Sequence, residues 1–199
     1  MEEIISKKEL DEFLKMPGQV RGNGLKTVAD FILKKEGENG LLSLEKAMAD
    51  FGCSIKLKEI KPLDFYPLGF LAIILISTSK LFNYGRKEIM EIGESDVRFS
   101  PILKLFVKYY ISIAGALKAA PLIFKKYFTT GELKVVEYNE DQKIVVLRVE
   151  NFKLTPVHCY YLAGYFLGVV KMIKSTSGIC EETKCVHRGD DFHEFVVRW

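Results

Sequence analysis

The sequence predicts an α+β fold in which an antiparallel β-sheet, made of two hairpins split by a helix, packs with a helical N-terminal half. Up to about residue 130, apolar residues recur mainly at helical spacing. After that point, two β-branched runs are separated by four polar residues, which is typical of a hairpin. A long apolar helix and a second pair of strands then complete the chain. Helices followed by hairpins favour α+β over an alternating α/β arrangement.

Composition limits the function classes. The length of 199 residues predicts one domain, 1–199, with a helical part at 1–60 and an α+β core at 61–199, and a hydrophobic content of 48% is ample for a core. The net charge is only +3 and the basic residues are scattered in doublets, so we expect no nucleic-acid partner. The uncharged stretch 65–79 is shorter than the roughly 20 residues of a membrane span. Four unevenly spaced cysteines form no disulfide framework, and we expect a reducing cytoplasm.

The helical half is divided by turn residues. A short helix begins at an N-cap Ser6, and a second begins at Asn23 and closes before a turn at 37–40. Further helices are predicted at 41–51, 67–82 and 85–92, whereas the segment 53–61 is left open between strand and loop. A longer apolar rod is predicted over 101–128, with a kink or restart at Pro121.

The C-terminal part carries the strands. The runs 132–138 and 143–150 form the first predicted hairpin. A helix then begins at Thr155 and Pro156, as N-cap and first helical residue, and continues to Lys174. Because this helix is apolar nearly all round, it must be buried by the sheet, by another helix or by a second subunit.

The closing residues contain a candidate metal site. Cys185 and His193 stand eight positions apart, and a three-residue hairpin loop at 188–190 would bring their side chains together. His187 shares the face of Cys185 if the strand is regular. Cys159 lies in the first turn of the preceding helix, where the helix dipole favours a thiolate. Thiolates with an imidazole suit zinc.

Other interpretations of these residues remain open. A free cysteine such as Cys159 is most often a small buried hydrophobe, and His193 could be a hydrogen-bonded core histidine. The spacing is not that of a CxxC zinc knuckle. The fourth ligand is left open among His187, His158, Cys180 and water.

Aromatic side chains on the apolar helices indicate an internal pocket. Most aromatics at helical spacing belong to a core, but tyrosine hydroxyls on buried helices need polar partners. A largely apolar space with a few such groups is typical of a small-molecule site. The candidate ligand-binding residues are Phe70, Phe106, Tyr110, Tyr161 and Tyr165.

From about residue 131 the chain resembles the 4-vinyl reductase domain family, which shares its fold with haem-nitric-oxide-binding proteins and TRAPP vesicle-transport subunits. The family pattern has a cysteine at a helix opening, here Cys159, and a closing stretch with an acidic residue, here Glu182. A first cysteine, a glycine and a Cys-x-Phe follow, matched by Cys185, Gly189 and the stretch 193–195 with histidine in place of the last cysteine. The N-terminal part is more like stand-alone prokaryotic relatives.

The resemblance implies a cytoplasmic, non-catalytic sensor or adaptor that binds a small hydrophobic or aromatic molecule. It implies zinc at the cysteine positions, a homodimer and a downstream protein partner. In this family an acidic residue follows the first cysteine, but Tyr160 stands there in this chain. The alternatives are a thiol-dependent or reductase-type enzyme using Cys159, a pure assembly subunit, and a haem-based gas sensor. Haem is not expected, because the Tyr-x-Ser-x-Arg propionate clamp is absent from the sequence and the available histidines are His158, His187 and His193.

Overall fold

The computed structural model describes residues 5–99, 112–174 and 176–199. Its helices and strands, in chain order, are α1 (Lys7–Leu14), β1 (Gln19–Arg21), α2 (Gly22–Asp50), β2 (Phe65–Pro67), α3 (Leu68–Leu81), α4 (Arg86–Phe99), α5 (Ile113–Tyr127), β3 (Glu132–Asn139), β4 (Ile144–Glu150), α6 (Pro156–Lys174), β5 (Ile179–Lys184) and β6 (His193–Arg198). Short 3-10 turns occur at Leu57–Glu59 and Val186–Arg188. The predicted α+β class is confirmed.

The four C-terminal strands form one antiparallel sheet in the order β3-β4-β6-β5. Two hairpins therefore join through β4 and β6, and α6 connects them. Alternate residues of β4, including Val145, Leu147 and Val149, are buried, as expected for a sheet with one covered face. The remaining strands, β1 and β2, pair in a separate two-stranded ribbon.

Helices α4 and α6 cross with their backbones in contact. A Cβ atom added to Gly93 would lie 2.1 Å from the carbonyl oxygen of Tyr161, and one added to Gly164 would lie 2.0 Å from that of Met90. Only glycine allows such an approach at these positions. Together with the sheet, α4 covers much of α6, so the apolar character of α6 is accounted for by packing within the chain.

Several predicted elements hold and others change. Ser6 caps α1 as predicted, and the Glu9 side chain completes a capping box. The predicted break near 37–40 is present as a kink at Gly37, whose φ of 72° and ψ of −170° are not helical, so α2 consists of two helical segments joined at this residue. The prediction of Asn23 as an N-cap is wrong, because its side chain turns inward to a buried partner. The open segment near 53–61 contains the first 3-10 turn.

Three further differences concern the later elements. Helix α4 extends to residue 99, beyond the predicted end at 92. Pro121 lies inside α5 without ending it, and the earlier part of the predicted rod, 101–111, lies outside the described residues. The predicted three-residue loop is wrong, since β5 and β6 are joined by residues 185–192 with a 3-10 turn. Within the described ranges, every helix is too short or too polar to cross a bilayer.

Candidate metal centre and internal cavity

Three side chains from separate elements converge beside the end of the sheet. The Cys159 Sγ atom at the start of α6 lies 3.8 Å from the Cys185 Sγ atom that follows β5. The same Cys159 sulfur lies 3.6 Å from His193 Nδ1 at the start of β6. Glu182 of β5 completes the cluster, and the four ligand atoms lie within 4.8 Å of one another. All except the half-buried Glu182 are buried.

Two of these separations, both from Cys159, fit the dimensions of a tetrahedral zinc site. With zinc–sulfur bonds of about 2.3 Å and zinc–nitrogen bonds of about 2.05 Å, two sulfurs lie about 3.8 Å apart, and a sulfur and a nitrogen about 3.6 Å apart. The Cys159 sulfur lies at these distances from the Cys185 sulfur and from His193 Nδ1. Glu182 Oε1 lies 2.8 Å from His193 Nδ1, in direct hydrogen-bond contact. Joint ligation would separate these two atoms to roughly 3.4 Å, a shift of several tenths of an ångström.

The orientation of His193 explains why a positive charge is needed in this cluster. Its Nε2 atom lies 3.1 Å from the carbonyl oxygen of Phe152, which only accepts, so Nε2 carries the proton. In a neutral ring, Nδ1 then presents a lone pair toward the Glu182 carboxylate. The Nδ1 lone pair and Glu182 Oε1 would then be two acceptors 2.8 Å apart, so a proton or a metal ion is required at Nδ1. The bond from Nε2 to the Phe152 carbonyl oxygen is of the kind that orients metal-ligating histidines, which usually donate from the nitrogen that does not bind the metal.

Glu182 was not among the predicted ligands, because strict alternation places it on the face opposite Cys185. The structure has a register shift between Glu182 and Lys184 in the β5–β6 pairing. The extra residue lets both Glu182 and Cys185 point into the cluster. Arg188 donates to Glu182 Oε2 at 3.2 Å and to the Glu182 carbonyl oxygen at 3.1 Å, which orients the carboxylate. The acidic position of the family pattern was the feature of the sequence that pointed to this residue.

The loop after β5 holds Cys185 in place. Its backbone N–H donates to Asp190 Oδ2 at 2.7 Å, and its carbonyl oxygen accepts from the N–H groups of Arg188 and Asp190 at 2.8 and 3.2 Å. Gly189 adopts a φ of 95°, which favours glycine, at the end of the 3-10 turn. These hydrogen bonds fix the position of the Cys185 backbone.

Burial controls the protonation of these groups in the absence of a metal. Burial, followed by the nearby Glu182 charge, raises the pKa of the Cys159 thiol. These two effects outweigh the helix dipole, which was expected to favour a thiolate at this position. Burial also opposes ionisation of Glu182. Hydrogen bonds from His193, Cys185 and Cys159 nevertheless hold the pKa of Glu182 below its ordinary value. The cluster therefore combines an ionised carboxylate with protonated thiols.

The other candidate ligands lie outside the cluster. His187 sits on the 3-10 turn with its ring centroid 5.8 Å from that of His193, and it is not one of the four converging residues. His158 points away from Cys159 and stacks on Tyr161, with ring centroids 5.7 Å apart. Burial lowers the pKa of His158 to about 3, so this ring is neutral. Cys180 is buried on β5 but contributes no atom to the group.

A second feature, an internal cavity, lies between helices α5 and α6 and the covered face of the sheet. Its volume is about 90 Å³. Its described walls are almost entirely apolar: residues of α5 and α6 form one side, and Leu133, Val145, Leu147 and Val197 of the sheet form the other. Tyr127, Tyr161 and Tyr165 also line it. Asp96 of α4 is the only formally charged residue among the described lining residues.

Asp96 is the centre of a buried polar network. Asn23 and Thr27 of α2 donate to its Oδ1 atom, Thr27 at 3.1 Å, and the Tyr161 hydroxyl of α6 donates to Oδ2. Asp96 is only 3% exposed. Burial raises its pKa to about 6 despite the hydrogen bonds from Tyr161 and Thr27. Asp96 was not predicted, although it stands on the apolar stripe of α4 that includes Ile89 and Ile92, and a carboxylate on such a stripe is an informative exception.

A curated relative identifies the family. The uncharacterised protein MJ0745 of Methanocaldococcus jannaschii is 30% identical to this chain over 148 residues, which cover 70% of each protein. The chain belongs to the family of this archaeal protein. No family model matches the chain, so membership of the 4-vinyl reductase domain family stays a prediction.

Solved structures show the fold that this family adopts. An H-NOX protein from S. oneidensis, in the Fe(II)NO ligation state, aligns with a TM-score of 0.68 at 12% identity, covering 89% of this chain and 98% of that one. A Tt H-NOX double variant aligns with a TM-score of 0.62 at 14% identity, covering 89% and 93% of the two chains. The fold expected from the resemblance, that of haem-nitric-oxide-binding proteins, is therefore the fold observed.

Only some of the predicted ligand-binding residues line the cavity of this protein. Tyr161 and Tyr165 line it. Phe70 does not: it is a partly buried residue packed against the core on α3, where its neighbour Leu71 reaches the cavity instead. Phe106 and Tyr110 lie outside the described residues.

Proposed function

We propose that this protein binds a small, largely apolar molecule in the cavity between α5, α6 and the sheet, and that a structural zinc ion stabilises the wall of that cavity. The observation that carries the proposal is the cavity itself, which has apolar walls and one buried polar network. A few placed polar groups in an apolar enclosure are typical of small-molecule sites. The fold, shared with H-NOX domains, is consistent with a sensor domain.

The size of the cavity restricts its ligand. Engineered apolar cavities of roughly 150 Å³ bind benzene or xenon. At about 90 Å³, the cavity of this protein admits a molecule of only a few heavy atoms unless its walls move. The ligand is therefore a compact molecule, or a larger aromatic one that displaces side chains on binding.

The zinc would act through α6. Cys159 lies two residues before Tyr161 on this helix, and Tyr161 and Leu162 line the cavity. A metal held by Cys159, Cys185 and His193, with Glu182 as fourth ligand, would bond the start of the cavity-lining helix to the β5–β6 connection. Metal binding of this kind contributes directly to folding stability.

The enzyme alternative is less well supported. Cys159 is 3% exposed, and burial raises its thiol pKa, whereas reactive cysteines are typically accessible with a lowered pKa. The adjacent His193 has Nε2 bonded to a backbone carbonyl and Nδ1 facing Glu182. A buried sulfur beside a second sulfur, an imidazole and a carboxylate suits a metal ligand, whose proton a bound ion would displace, better than a nucleophile.

Haem does not fit the described residues of the cavity. None of the three histidines lines the cavity. Among the described lining residues, no basic side chain is present to pair with propionates. We therefore assign no role to haem.

Native mass spectrometry and ligand titration test the proposal. Freshly purified protein should carry about one zinc ion per chain, and we expect it to be a homodimer, as the resemblance implies. Isopentane, a five-carbon hydrocarbon, should bind and shift NMR signals of residues that line the cavity. The variant Ala116→Leu, which fills the cavity from α5, should abolish binding, whereas Ala114→Leu on the same helix but outside the lining should retain it. Binding of isopentane that is equal in both variants, or absent from the wild type, would overturn the cavity proposal.

A further inference from the structure

The carboxylate of Asp96 faces an apolar cavity without a described cationic partner, and this arrangement indicates the chemistry of the ligand. We infer that the cavity ligand carries a cationic hydrogen-bond donor, such as an ammonium group, that pairs with Asp96. The inference rests on the proposed function, because it names the class of molecule that the same cavity would bind.

Asp96 has an acceptor position left for such a group. An ionised carboxylate has about four lone-pair sites. Oδ1 accepts from Asn23 and Thr27, and Oδ2 accepts from the Tyr161 hydroxyl. One site on Oδ2 therefore remains. Both Asp96 and Tyr161 line the cavity, which places the carboxylate at its boundary.

The charge of Asp96 is not balanced by the surrounding helices as far as they are described. Its three donors are neutral side chains. Two lysines on the helices that supply those donors pair with other carboxylates: Lys26 of α2 lies 2.5 Å from Asp30, and Lys171 of α6 lies 2.9 Å from Glu94. A buried carboxylate is costly unless it is paired with a positive charge. A cationic ligand would provide that charge.

A purely structural role for Asp96 makes a different prediction. If the carboxylate served only to join α2, α4 and α6, an uncharged asparagine with the same shape would do so as well. Its amide oxygen would accept from Asn23 and Thr27, and its NH₂ group would donate to the Tyr161 hydroxyl oxygen. In that case ligand charge would have no influence on binding.

Three molecules of nearly equal shape separate these roles: isobutylamine, isobutanol and isopentane, which differ in one terminal group. Their affinities are measured by NMR titration at neutral pH for the full-length wild type, Asp96→Asn and a control, Asp30→Asn, which removes an exposed carboxylate of α2. We expect the ratio of isobutylamine to isopentane affinity to fall by at least about tenfold in Asp96→Asn and to be unchanged in Asp30→Asn. The affinity for isobutanol, relative to isopentane, should change less than the affinity for isobutylamine.

The outcomes distinguish this inference from the function on which it rests. If isopentane binds and Ala116→Leu blocks it, but the amine-to-hydrocarbon ratio is the same in wild type and Asp96→Asn, the cavity proposal stands and the cationic ligand is excluded. If none of the three molecules binds the wild type, both fail. Circular dichroism and retained isopentane binding verify that Asp96→Asn is folded.

Discussion

At the scale of single residues, Asp96 shows how burial changes the behaviour of one group. Its carboxyl is surrounded by apolar walls, and three neutral donors do not offset the loss of hydration. The pKa is therefore raised from an ordinary 3.8 to about 6. The folded protein binds a proton at this position more tightly than the unfolded chain does, so protonation of Asp96 stabilises the fold.

This linkage predicts a pH effect on stability. The stabilising contribution is complete below the unfolded pKa, near 4, and is lost as pH rises through about 6. Two pH units at about 1.4 kcal/mol each correspond to about 3 kcal/mol. The free energy of unfolding of the wild type, relative to Asp96→Asn, should fall by that amount between pH 3 and pH 7, as measured by urea denaturation. The subtraction removes the contribution of the metal cluster, which both proteins share. A constant difference across this range would contradict the raised pKa.

The candidate metal centre shows which residues the sequence could identify. Cys159, Cys185 and His193 were predicted to converge because their types and spacing are unusual, and their side chains do lie together. Glu182 escaped prediction because a one-residue register shift reverses the direction in which a side chain points. Neither the alternation rule nor composition reveals such a shift. His187 was misplaced for a related reason, since the chain turns before it rather than continuing as a strand.

At the scale of elements, the cluster joins the start of α6 to the terminal hairpin. The start of α6 contributes Cys159, whereas Glu182, Cys185 and His193 come from β5, the loop after it and β6. The bond network of a metal would therefore act across the helix and the terminal hairpin. The sequence predicted this hairpin and α6 with nearly correct bounds, because their alternating and apolar patterns are local. It also predicted the interruption of α2 near 37–40, because glycine is a local signal for a turn, and Gly37 has non-helical geometry.

We predict that loss of one sulfur abolishes metal binding and weakens this connection. Cys159→Ala should reduce zinc from about one per chain to a trace, as measured by atomic emission, whereas Cys180→Ala removes an equally buried thiol outside the cluster and should retain the metal. At a thousandfold excess of free zinc over Kd, the metal stabilises the fold by about 4 kcal/mol. For a chain of this length, that loss lowers Tm by about 10 °C.

Removal of zinc from the wild type by a chelator provides an independent comparison. Its Tm should fall to that of Cys159→Ala, and the chelator should leave Cys159→Ala unchanged. A stoichiometric zinc content in Cys159→Ala, or an equal loss of zinc in Cys180→Ala, would be inconsistent with the assigned ligands.

At the scale of the whole molecule, distant parts of the chain share one set of buried contacts. Asp96 joins the N-terminal helix α2 to α4 and α6. The glycine contacts bring α4 and α6 together at backbone distance, and α6 lies against the sheet. A continuous hydrophobic core runs from Ile5 to Val197. The sequence predicted one domain from its length alone, whereas these contacts provide a physical reason why the helical part, 1–60, should not unfold by itself.

The single tryptophan makes that expectation testable. Trp199 stacks on Tyr138, with ring centroids 6.4 Å apart, and its backbone N–H donates to the Lys143 carbonyl oxygen at 3.1 Å, so its fluorescence reports on the β3–β4 end of the sheet. Helical circular dichroism reports mainly on α2 to α6. Because the core is shared, both signals should follow one urea transition with the same midpoint, in zinc-saturated and in chelator-treated protein, with a lower midpoint in the latter. Loss of tryptophan fluorescence at a urea concentration where the helical signal persists would show two cooperative units. The buried contacts of Asp96 would then be too weak to couple the helical part to the sheet.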